Sequence, residues 1–232
     1  MDLGQVRIEL EEEQSWRKNE IRFLRNQLAE ISSYNDKKRY RKSLVVMLYS
    51  HYEGFSKFAM EQYVLVVNRE NVKCKDANPS IVAGAWHSKF SAVESGDKKE
   101  RVFKNALPTD EKLHRFARRR EFVETIPNFQ VEFAKIPDDT VDVESNLKPV
   151  VLRKNLYKLG LPHDAFQTYE GKIGKLLAIR NSVAHGAKKE GLRREEYQPI
   201  EQAIFKVMDE FMELIINSLK DKKFLKLTSP SP

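Results

Sequence analysis

The stretch that decides the fold is Lys175-Leu176-Leu177-Ala178-Ile179-Arg180-Asn181-Ser182-Val183-Ala184-His185-Gly186. Leu176, Leu177 and Ile179, with Ile173 a turn earlier, recur at the intervals that put apolar side chains on one face of an α-helix. Gly186 is the residue type that most easily takes the left-handed conformation closing a helix. The segment reads as the second half of an amphipathic helix that starts near Asp164 or Thr168 and ends around Ala184–Gly186. Its end carries a guanidinium (Arg180), a carboxamide (Asn181) and an imidazole (His185) within six residues.

Helices extend on both sides of it. A charged connection, Lys188–Glu196, leads to a last helix at about 197–220, with Ile200, Ile204, Val207, Met208, Phe211, Leu214, Ile215 and Leu219 on one broad face. Upstream, a helix through Val150, Leu152, Leu156 and Leu159 is stopped by Gly160, with Pro162 just beyond. At the N-terminus, Ile8, Trp16, Ile21, Leu24, Leu28 and Ile31 mark a helix over 5–32. Ser32–Asn35 break it, and Asp36 is positioned to cap a second helix over about 37–68. That second helix is apolar around more of its circumference and is predicted to be the central, buried one.

Residues 70–145 have a different texture and read as a mostly helical insertion between the N-terminal pair and the C-terminal helices. Asn78-Pro79 opens a helix running through Trp86 to about Val93. Ser95-Gly96-Asp97 is a loop, and Thr109 or Asp110 caps a helix to about Glu124. Phe129–Phe133 alternates as a weak strand candidate. The chain is thus expected to be all-α, with a bundle formed by 1–68 and 146–222, a subdomain at 70–145 and a C-terminal tail at 223–232, frayed over Leu227–Pro232.

Composition agrees. Hydrophobic residues make up 41% and aromatics 10%, enough for a core, while only 9 Gly and 9 Pro argue against a turn-rich sheet protein. The lone Cys74 has no disulfide partner in the chain, and no Cys/His spacing suggests zinc. The N-terminal acidic run lacks the pattern of a secretion signal, and the apolar runs Leu44–Tyr49 and Tyr63–Val67 are far short of the ~18 residues of a membrane span. A cytoplasmic protein without membrane partner, metal or cofactor is expected. The formal charge of +7 and pI of about 9.3 favour polyanionic partners, only modestly, because acidic residues are mixed among the basic ones.

An arginine followed by a histidine after four to six residues is unspecific by itself, although only Arg180 and His185 satisfy it in this chain. Five residues advance about 500° around a helix, leaving the two side chains roughly 140° apart. They converge only if the helix loosens before His185 or if a second subunit completes the site.

With a polar residue after the arginine, the segment resembles the R-x(4–6)-H signature of HEPN domains. Together with His51-Tyr52-Glu53-Gly54-Phe55 it looks most like a bacterial, MAE-type HEPN nuclease family, over roughly 1–68 and 146–220. The resemblance implies a homodimer that cleaves RNA without metal by attack of the 2′-hydroxyl on the adjacent phosphate. His185 would be general acid or base, Arg180 would stabilise the phosphate, and Asn181 would donate to the phosphate or position His185. Glu53 would orient the arginine or histidine; an i,i+4 ion pair with Lys57 is the alternative. Gly54 would permit close helix packing. A toxin–antitoxin or anti-phage defence setting follows from the same likeness, with an antitoxin or defence protein as partner. Ala187, however, stands where toxins paired with nucleotidyltransferase antitoxins carry tyrosine.

The competing function is a non-catalytic HEPN-like module that binds nucleic acid, nucleotide or a protein. His51, His87, His114 and His163 have no evident companions and read as surface or packing residues. Arg115-Phe116-Ala117-Arg118-Arg119-Arg120 is read first as a solvated helix face and second as a nucleic-acid contact.

Overall fold

A computed structural model describes residues 2–94, 99–187 and 189–226. The fold is all-α. Among the described residues every named element is a helix, and strand-like pairing is confined to two isolated bridges. The loop read at Ser95-Gly96-Asp97 and the end Leu227–Pro232 lie outside the described residues.

Helix α1 (Leu3–Asn26) starts where the Asp2 carboxylate accepts from the Gln5 backbone N–H at 3.1 Å. Helix α2 (Tyr34–Arg69) starts where the Ser33 hydroxyl accepts from the Asp36 N–H at 3.3 Å. The cap is therefore Ser33, not Asp36, which lies inside the first turn where its charge suits the helix dipole. Over 36 residues α2 reaches roughly 54 Å. It buries Leu44, Val45, Leu48, Tyr49, Tyr52, Phe55, Ala59, Met60 and Tyr63, and packs against α1, α7 (Glu170–Ala184) and α8 (Arg194–Lys220). It is the central helix, as its wide apolar face requires.

The inward face of α1 differs from the apolar pattern. Val6, Leu10, Gln14, Lys18 and Ile21 are buried, whereas Ile8 and Trp16 are 49% and 47% exposed. Lys18 lies inside because its alkyl stem packs while its ammonium reaches Asp209 on α8 and the face of Phe205. Two polar residues at inward positions hid the true stripe.

The middle of the chain joins the same core. Cys74, Ala77, Ile81, Trp86, Ala134, Ile136 and Val141 belong to one apolar cluster with the bundle. The Asn68 side chain accepts from the Ile136 N–H and donates to its carbonyl, at 2.8 and 2.9 Å, fixing the segment to the end of α2. The helix read from Pro79 to about Val93 is two: α3 (Pro79–Ala85) and α4 (His87–Glu94). They part at Trp86, whose indole is buried edge-on against Phe122 and Phe129, and α4 packs on α5 (Glu111–Thr125). Asp110 caps α5 by accepting from Leu113 N–H at 3.0 Å. Phe129–Phe133 is not a strand: Ile126–Gln130 forms a short 3₁₀ turn, and only Phe133 bridges to Lys73. A single bridge gives no ladder for alternation to exploit.

Helix α6 (Pro149–Lys158) ends at Gly160, whose φ of +69° suits glycine and whose missing side chain leaves room for Asn78, 2.8 Å from where a Cβ would stand. At the C-terminus, Phe224 is buried, and Lys226 N–H donates to the Asp76 carbonyl.

Candidate active site

Helix α7 carries Arg180 and Asn181 in its last turns. The helix is intact to its end: His185 N–H still donates to the Asn181 carbonyl at 2.9 Å, and Gly186 follows at φ +69°. The loosening that would swing His185 toward Arg180 within one chain does not occur. His185 is exposed, and its ring forms no hydrogen bond, ion pair or ring contact among the described residues.

Arg180 is held from three sides. Its Nη1 donates to Asn181 Oδ1 at 3.0 Å and to Asn146 Oδ1 at 3.2 Å. Its guanidinium lies 4.9 Å from the centre of the Tyr49 ring. A cation over an aromatic face contributes about 0.5–2 kcal/mol, more as water is excluded. Arg180 is half-buried and makes no ion pair among the described residues. It is oriented without being neutralised.

The turn that presents Asn146 is unusually constrained. Glu144 and Ser145 occupy the left-handed region at φ +48° and +64°, which non-glycine residues adopt at a cost of about 1–3 kcal/mol. The fully buried Asn155 on α6 over-determines this turn, accepting from the Asp142 N–H at 3.0 Å and donating to its carbonyl at 2.7 Å. Asp142 in turn accepts from Glu144 N–H at 2.8 Å. The chain beyond Asn146 then aims the Leu147 N–H at both Tyr49 Oη, 2.9 Å, and Glu53 Oε2, 3.1 Å.

Tyr49 donates its phenolic hydrogen to Glu53. Burial first, and then the Glu53 carboxylate, push the Tyr49 ionisation well above its usual range, so the phenol stays protonated. Glu53 therefore connects to Arg180 through Tyr49. Its alternative partner is excluded: Lys57 pairs with Glu61 at 3.6 Å. The structure thus gathers Arg180, Asn181 and Glu53 around Tyr49 and leaves His185 apart. Tyr49 and Asn146 were not singled out in the sequence as site residues. The available signal was Tyr49 one helical turn before Glu53, placing both on the same face of α2.

The other histidines have companions. His51 is buried, 2.7 Å from Glu20 and edge-on to Trp16. His114 is buried too, accepting from Glu100 N–H at 3.1 Å, with its other ring nitrogen 3.0 Å from the Leu107 carbonyl. These are structural anchors. The gap beside Gly54 is filled by the Arg17 guanidinium from α1, 2.5 Å from where a Cβ would lie. Among the described residues no group of three or more His, Cys, Asp or Glu side chains is placed to hold a metal ion, and no helix is long and apolar enough to cross a membrane.

Residues 6–224 match the model of the MAE-type HEPN family. The chain belongs to this HEPN family. The match runs through the middle segment as well as the bundle. No curated protein and no solved structure matches the chain.

Proposed function

We propose that this HEPN domain is a metal-independent endoribonuclease, and that a second copy of the chain completes its site. Arg180 carries this reading. A half-buried guanidinium, fixed by two carboxamides and a tyrosine ring but paired with no carboxylate among the described residues, is a preformed receptor for an anion. Its planar fork matches two phosphate oxygens.

The chemistry is a transesterification. The 2′-oxygen attacks the adjacent phosphorus, the bond from phosphorus to the 5′-oxygen breaks, and the products are a 2′,3′-cyclic phosphate and a 5′-hydroxyl. Imidazole nitrogen takes the 2′-hydroxyl proton, and imidazolium supplies one to the leaving oxygen; this is the role of His185. Arg180 stabilises charge accumulating on the phosphate. Asn181, with its oxygen on Arg180, holds the guanidinium and has its amide hydrogens for the substrate. Because α7 stays helical to its end, Arg180 and His185 leave it in different directions. A two-fold dimer that apposes the α7 termini brings one subunit's histidine to the other's arginine.

The test is to incubate the purified chain with single-stranded RNA in EDTA, beside His185→Ala and Arg180→Ala. Cleavage ending in cyclic phosphate, reduced about 10²–10⁴-fold in His185→Ala, supports the assignment. Equal cleavage by all three proteins overturns it, and RNA binding without cleavage by the unaltered chain selects the non-catalytic module instead.

A further inference from the structure

A second anion-binding feature lies between the end of α1 and the starts of α2 and α8. Here a cavity of about 320 Å³ is lined by Arg25, Lys37, Arg41, Arg194, Tyr197 and Glu201, with Leu28, Ala29 and Gln198 completing the wall. Four cations face one carboxylate, and that carboxylate is already engaged: Glu201 is buried, accepting from Arg25 at 3.1 Å and from the Tyr197 hydroxyl at 3.2 Å.

Among the described residues the other three cations pair with no carboxylate. Arg41 is 7% exposed, and its hydrogen-bond partner is the Leu192 carbonyl at 3.2 Å. Arg194 bonds the Gln198 amide oxygen at 3.1 Å. Lys37 forms no ion pair among the described residues. Of the three only Arg41 is buried, and a buried charge without a counter-charge is expensive. Lys37 and Arg194 stand in the first turns of α2 and α8, so the cavity lies beside two helix starts, the ends that favour an anion. An anion bound in the cavity supplies the counter-charge that Arg41 lacks among the described residues.

We infer that this cavity binds a phosphomonoester dianion, with Arg41 and Arg194 bonding the phosphate oxygens and Lys37 adding charge. The apolar wall formed by Leu28 and Ala29, and the side-chain amide of Gln198, accommodate the organic group attached to the phosphate. The bearer is either a small phosphorylated metabolite or the 5′-phosphate of an RNA strand. The pocket involves none of Arg180, Asn181, Glu53 or His185, so it does not rest on ribonuclease activity, and loss of either assignment leaves the other standing.

Isothermal titration calorimetry on the full chain, at fixed ionic strength, tests this with inorganic phosphate, adenosine 5′-monophosphate and adenosine. Phosphate and the monophosphate are expected to bind and adenosine not to bind. A double variant, Lys37→Gln with Arg194→Gln, should weaken both by about tenfold or more while keeping the urea midpoint, because Arg194 is exposed and Lys37 half-buried. Arg41→Gln is a second, more severe variant whose folding needs checking by circular dichroism. Two 2′-O-methyl oligonucleotides, alike except for a 5′-phosphate or 5′-hydroxyl, distinguish the sources: preference for the phosphorylated strand assigns the pocket to an RNA end, and equal binding assigns it to a small phosphomonoester. Equal phosphate affinity in the unaltered chain and the double variant, adenosine binding as tightly as its monophosphate, or heats no different from chloride would overturn the inference.

Discussion

Arg180 is held by its neighbours on three sides. Two carboxamide oxygens and an aromatic face fix its plane, yet nothing among the described residues cancels its charge. Arg180→Lys keeps the charge but loses the fork and the ring stacking. It should reduce RNA cleavage on the order of 10²-fold, read as kcat/KM with a fluorescent RNA, and activity equal to the unaltered chain would contradict the role. Tyr49→Phe is a different test. It keeps the ring under Arg180 and removes the hydroxyl that donates to Glu53 and accepts from Leu147. The expected loss is about 1–3 kcal/mol of stability in urea unfolding, with cleavage less affected than in Arg180→Lys. At this scale the sequence was half legible. Arg180, Asn181 and His185 are close neighbours in the chain, so a helix terminus could be read around them. Asn146 and Tyr49 reach Arg180 only through tertiary packing, which no local pattern reports.

Among the elements, the α1–α2 pair supplies a pH-dependent contact. Burial lowers the His51 ionisation, Glu20 and Glu13 oppose that shift, and Arg17 reinforces it. All three charged neighbours lie on α1. The folded-state value thus lies below the unfolded one, so the unfolded chain binds the proton first. Stability present above about pH 6.5 should fall as the pH drops below it, and level off once the folded protein protonates too. Melting temperatures between pH 7.5 and 5 check this, with His51→Gln expected to flatten the slope in that window; an unchanged slope would remove His51 as its source. The same pair shows where periodicity fails. Helix α2 was recognisable because its apolar residues outnumber its polar ones on the core side. The face of α1 was not, because Gln14 and Lys18 point inward while Ile8 and Trp16 point out.

For the molecule as a whole, helical class followed from few turn formers and long amphipathic stretches. The part played by residues 70–145 did not, since its contribution to the core is a scatter of single residues, Cys74, Ile81, Trp86 and Ile136 among them, brought together by caps and buried amides. The family match over 6–224 includes that segment. What a single chain does not provide is a contact between Arg180 and His185, because α7 remains regular up to its cap. The proposed reaction therefore calls for two chains, and mixing inactive variants tests this most directly. Arg180→Ala and His185→Ala are purified separately, combined in equal amounts, allowed to exchange subunits and assayed on RNA. In a two-fold dimer with arginine and histidine drawn from opposite chains, half of the randomly formed dimers carry one intact site, so the mixture should regain about a quarter of the unaltered activity. A mixture no more active than its two components would show that the pair does not work across the dimer.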